Sequence, residues 1–235
     1  MKKFTVDPAV FAKLPDYCLG VVVVEGFDNA APSPAIDAML DQSAADFAAR
    51  HAGDNVRELP GVKACREAFQ ALGMNPNKFM VSIEALAKRV QKNGALPHIN
   101  PLVDLGNALS LRHEVPMGAH DIDKMESCGI AVRFAGEGDT FLPMGEEAVE
   151  VMPEGELCYV SGHTVKTRRW MWRQSEDGKI RPDTSHVFFP IDGFLAFNGA
   201  EVRAAAEELE RLLREHFGCE TLQGFVDREH AEMEL

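Results

Sequence analysis

The chain has 235 residues, 46% of them hydrophobic and 26% charged, with a formal net charge of −13. That balance excludes a disordered polar tract, and the length is enough for a sizeable core without a disulfide or metal staple. The negative surface opposes a phosphate backbone at long range, so RNA contact would need a local basic patch, and DNA is not an expected partner.

The first residues, MKKFTVDPAV, lack the apolar run of a signal peptide. The longest such run, Val21 to Val24, is far below a membrane span. The five cysteines are scattered and show no Cys-x-x-Cys spacing. A reducing, cytoplasmic compartment without a zinc site or other cofactor is expected.

Residues 17–27 (YCLGVVVVEGF) form a β-branched run suited to a strand covered on both faces. Ser33-Pro34 reads as a helix start for an Ala-rich helix that stops near Gly53. A second helix is expected over 62–72, stopped by Gly73, and a third from a Ser82 cap to Asn93-Gly94. Asn100-Pro101 opens a fourth, to about residue 113. Short strands then follow at 129–134, 140–142, 148–151, 157–160, 165–172 and 186–191, divided by Gly, Pro and Asp turns. A closing amphipathic helix occupies 201–217. Helices segregated from strands predict an α+β fold, and no linker divides residues 1–235, so one domain is expected.

Residues 99–125, INPLVDLGNALSLRHEVPMGAHDIDKM, place Val103-Asp104, Asn107 and the turn 116–121 in a fixed order before Gly129-Ile130-Ala131-Val132-Arg133-Phe134. This ordered set resembles the tRNA-editing module of the phenylalanyl-tRNA synthetase beta subunit. The blocks at 66–69, 75–78, 82–89 and 167–174 are similar to its stand-alone relatives, the B3/B4 domain proteins. The resemblance implies a three-layer fold with an unusual β-sandwich, beside the order read along the chain of a helix-rich first half, an antiparallel β-rich second half and a closing helix. It also implies hydrolysis of the ester joining a wrong amino acid to tRNA, and no ATP-dependent aminoacylation. The family's pocket histidine falls on Gly118, its pocket glutamate falls near Pro190, and its Gly-rich loop is replaced by the Trp-Met-Trp-Arg-Gln block, whereas its asparagine survives as Asn107.

Hydrolysing an activated ester needs a held substrate, a positioned water and donors for the oxyanion rather than a strong nucleophile. No Gly-x-Ser-x-Gly elbow is present. Asn107 and His120 are the candidate catalytic residues, the first to orient an amine, ester or water and the second as a general base. Asp104 lies three residues before Asn107 on the same helix, and Gly118 and Asp121 flank His120. Strand alternation over 165–174 puts Lys166, Arg168, Trp170, Trp172 and Gln174 on one face, a surface suited to stacking a base or aromatic group beside phosphates. Equally, both tryptophans can be core. Three readings stay open: an editing hydrolase acting on aminoacyl-tRNA, a binder of a free amino-acid-like ligand, and a tRNA-binding module without chemistry.

Overall fold

The computed structural model describes residues 2–235 and is an α+β fold built on two sheets. At its centre runs β2 (Tyr17–Glu25), whose first eight residues are all buried. It pairs antiparallel along its whole length with β10 (His186–Phe194), from Tyr17 opposite Phe194 to Glu25 opposite His186. On its other side lies β11 (Glu220–Val226), and the two-residue β3 (His120–Asp121) joins the far edge of β10. Among the described residues, no helix is long and apolar enough to cross a membrane.

The larger sheet runs β12 (Glu232–Glu234), β1 (Lys3–Val6), β4 (Gly129–Phe134), β7 (Leu157–Ser161), β8 (Thr164–Arg168), β5 (Thr140–Phe141) and β6 (Glu150–Val151). The two-residue β9 (Arg173–Gln174) folds back on β8. Alternation along β2 assigns its two faces. Tyr17, Leu19, Val21 and Val23 join Phe4, Ile130, Leu157 and Tyr159 of the larger sheet in one core. Val22 and Val24 join a second core with α5 (Pro101–His113) and α6 (Leu195–Phe217). The α5–α6 pair, the small sheet and the large sheet are therefore stacked in layers. Gly20 is needed where α6 crosses: a Cβ there would stand 3.1 Å from the Val202 carbonyl oxygen.

The remaining helices are α1 (Pro8–Lys13), α2 (Pro34–Arg50), α3 (Pro60–Ala71) and α4 (Ser82–Asn93). Asn100 caps α5 as expected, its side chain accepting from the Val103 N–H at 3.1 Å. Gly94 and Gly218 end α4 and α6 in the left-handed conformation that glycine adopts without cost.

Four expectations need correction. Val81, not Ser82, is the N-cap of α4, and the Ser82 N–H donates instead to the Met171 carbonyl. α6 starts at Leu195 rather than at 201, through a non-helical Asn198 whose side chain accepts from the Phe194 N–H. The β-rich half is not purely antiparallel and α6 is not the last element: β1 pairs parallel with β4, β5 pairs parallel with β8, and β11 and β12 follow the helix. Finally, the strand expected over 165–172 stops at Arg168. Arg169 and Trp170 have φ of 49° and 58°, so the chain turns, and one alternating face never forms.

Candidate functional site

That turn builds the site. It carries the Trp170 indole between the sheets, fully buried, where it meets Tyr17 edge-on with centroids 5.0 Å apart. Trp170 Nε1 donates to Asp192 Oδ1 at 2.9 Å, the Tyr17 hydroxyl donates to the same oxygen at 2.5 Å and the Tyr159 hydroxyl at 2.8 Å. Three donors on one oxygen hold the carboxylate in place. No described residue donates to Oδ2. Burial pushes the Asp192 carboxyl up to about 6, against the pull of the three donors. Burial also pushes both tyrosines well above their ordinary range, so they stay protonated donors at neutral pH.

Asp192 lines a cavity of about 130 Å³. Tyr159, Trp170, Met171, Met117 and Pro190 supply apolar wall, and Trp172, Gln174 and Ser82 also border it. This is close to the roughly 150 Å³ that admits a benzene-sized group in an engineered protein cavity. His120 closes one side, its ring stacked between Tyr159 and Phe188 at 5.4 and 6.0 Å. Burial, helped by the Lys166 charge, lowers the imidazole to about 3, so it is neutral at physiological pH. Its Nδ1 is buried and has no hydrogen-bond partner among the described residues. Gly118 keeps the wall thin: a Cβ there would lie 3.3 Å from Pro190 Cγ and 3.7 Å from His120 Nε2. At the rim, the Arg169 guanidinium stacks over Phe79 at 3.8 Å and Trp172 at 4.8 Å while pairing with Glu156 at 3.0 Å.

Of the residues singled out in the sequence, the cavity gathers Gly118, His120, Trp170, Trp172 and Gln174. Gln174 spends its amide on the Ala119 and Gly178 carbonyls and so braces the wall. The others go elsewhere. Asn107 sits on α5 and does not line the cavity, so the amide and the indoles do not share a cleft. Asp104 is buried and accepts from the Ile99 N–H. Asp121 points away from its neighbour His120, as adjacent strand residues do, and binds the Thr184 hydroxyl at 2.9 Å. Lys166 is buried against Asp177 and the Lys124 carbonyl, and Arg168 pairs with Glu150 and Glu156. The cations expected to meet phosphates are thus already neutralised within the fold.

Sequence reasoning missed Tyr17, Tyr159 and Asp192. One signal was present: HVFFPIDGF, a run apolar enough for a buried strand, contains a lone carboxylate. Such a group must be paired, protonated or functional. Among the described residues, Asp37, His98 and Asp104 stand at metal-ligand spacing, with donor atoms within 4.8 Å of one another; none of the three lines the cavity.

The comparisons with known proteins agree with this architecture. The phenylalanine–tRNA ligase beta subunit of Chromobacterium violaceum is 32% identical over 95 residues, which cover 37% of this chain and 12% of the relative. A crystal structure of an N-terminal fragment of the phenylalanyl-tRNA synthetase beta subunit from Pyrococcus horikoshii superposes with a TM-score of 0.51 at 13% identity, a likeness of fold. It covers 95% of this chain and 53% of that one. The B3/4 domain family profile matches residues 64–218, and the chain belongs to that family.

Proposed function

We propose that the chain is an editing hydrolase that cleaves the ester between an amino acid and tRNA, with the inter-sheet cavity holding the aminoacyl group. The observation that carries this reading is Asp192: a buried carboxylate, pinned through one oxygen by Tyr17, Tyr159 and Trp170, at a cavity sized for one small group. A fold that only needed a core would fill that space with apolar side chains. The relation to synthetase beta subunits supports an aminoacyl-tRNA as substrate.

In this reading His120, neutral because it is buried, orients a water toward the ester carbonyl. Water adds to the carbonyl carbon, the bond to the ribose oxygen breaks, and that oxygen takes up a proton as the free amino acid forms. Gly118, Trp170, Trp172 and Gln174 shape the cavity and exclude competing water. Asn107, Asp104, Asp121, Lys166 and Arg168 support the scaffold around it.

The decisive test is release of amino acid from a panel of mischarged tRNAs. Turnover that falls at least about tenfold in His120→Ala supports the reading. No release above the uncatalysed rate from any tRNA overturns it. A second reading, a binder of a small free ligand, is favoured by one observation: Lys166, Arg168 and Arg169 are all paired with acids, so none of these three is free for an RNA backbone. Under that reading a ligand raises the melting temperature and no tRNA is deacylated.

A further inference from the structure

The side chains lining the cavity carry charge of one sign. Among the described residues, Asp192 is the single acid that lines it, and no lysine or arginine does. Two cations of the adjoining hairpin are engaged elsewhere: Lys166 with Asp177 and the Lys124 carbonyl, Arg169 with Glu156. His120, neutral at physiological pH, adds no positive charge. The three donors that grip Asp192 use only Oδ1, so Oδ2 keeps its lone pairs. Tyr159, Trp170 and Trp172 line the same space, and the donors of the first two are already spent on Oδ1, so neither is left for an anion.

From this arrangement we infer that the cavity selects a ligand with a free protonated amine and a masked carboxyl group, an amino-acid ester or amide, and rejects the free amino acid. The inference rests on the reading of the cavity as an aminoacyl pocket. The ammonium pairs with Asp192 Oδ2 and replaces the hydration it loses with a charge-assisted hydrogen bond. A free α-carboxylate entering the same space meets a like charge and no cationic donor. An ester or amide carries no such charge. The pocket would therefore release its own product: once the ester is cut, the new carboxylate is repelled.

The test is calorimetric titration of the intact chain at about pH 7, below the α-amino range of about 7.7–8.0 and above the value of about 6 for Asp192, with three probe sets. These are the carboxamides of alanine, leucine and phenylalanine, the corresponding free acids, and the N-acetyl carboxamides; amides serve because an esterase does not consume them. The expected result is that at least one carboxamide binds about tenfold or more tightly than both its free acid and its N-acetyl form, the scale of one hydrogen bond to a charged group. Asp192→Asn keeps the oxygen that accepts the three donors and removes the charge, and it should abolish that preference. Free acids binding as tightly as amides, N-acetyl amides binding equally, or no amide binding overturns the inference, and each is read on the unmutated protein, so misfolding of a variant cannot hide it. A preference that survives in a folded Asp192→Asn variant overturns the part assigned to Asp192. Deacylation fails or succeeds separately: amine preference without turnover removes the hydrolase and leaves this inference standing, and turnover without the preference does the reverse.

Discussion

Trp170 Nε1 lies 2.9 Å from Asp192 Oδ1, joining a turn residue of left-handed conformation in the larger sheet's hairpin to the central strand pair of the smaller sheet. This bond ties the two sheets at the site and keeps the Asp192 carboxylate facing the cavity. It also explains the strained turn. Non-glycine residues at positive φ cost of order 1 kcal/mol each or more and persist where surrounding contacts over-determine them.

Trp170→Phe deletes that donor and leaves a void where the larger ring was. The expected loss is about 2 kcal/mol or more, from the hydrogen bond and the unfilled space together. Urea denaturation measures it; a loss below about 0.5 kcal/mol would show that the bond does not hold the sheets together.

Gly118→Leu should occupy the cavity without unfolding the chain, because the Cβ position contacts Pro190 Cγ and His120 Nε2 at ordinary or slightly tight distances and the backbone there is not left-handed. Ligand binding or deacylation should drop at least about tenfold while the melting temperature moves by only a few degrees. Unchanged binding would place the ligand elsewhere.

Acid should act on the two buried titratable groups in opposite directions. Asp192 rises from 3.8 to about 6 on folding, so between those values the folded chain binds the extra proton, and its contribution to stability is lost as pH rises through about 6. His120 falls from 6.5 to about 3, so between those values the unfolded chain binds the extra proton, and stability is lost as pH drops below 6.5. Each slope approaches about 1.4 kcal/mol per pH unit where its group dominates. Denaturation at several pH values between about 4 and 7 should show His120→Phe flattening the acid-side loss and Asp192→Asn steepening it. Parallel curves for all three proteins would refute both assignments.

Glu156 holds Arg168 at 2.8 Å and Arg169 at 3.0 Å beside the cavity rim. Glu156→Ala should free the Arg169 guanidinium, leave Arg168 held by Glu150 alone, and strengthen tRNA binding several-fold at low salt, with a steeper decline as salt is added. Equal affinity across the salt series would show that these arginines never face the nucleic acid.

Much of the fold was legible along the chain because its signals are local. The run YCLGVVVVE can only be a strand buried on both faces, Asn100-Pro101 starts a helix by supplying an acceptor and a preset φ, and Gly94 and Gly218 stop helices by adopting positive φ. The resemblance to the synthetase module also lay in the order of short motifs, and His120, Gly118 and the two tryptophans were found from residue type and position.

What sequence alone could not supply was the meeting of distant residues. Tyr17, Tyr159, Trp170 and Asp192 are separated by as many as 175 positions, yet they share one oxygen atom, because β2 and β10 pair and the hairpin turn after β8 folds over them. Local alternation placed Trp170 beside Lys166 and Arg168 on one face, and only the packing against Asp192 reversed the chain at Arg169 and sent the indole inward while the cations paired with acids. Local backbone preference determined the elements; the site was decided by the need of a buried carboxylate for donors, which only the assembled sheets provide.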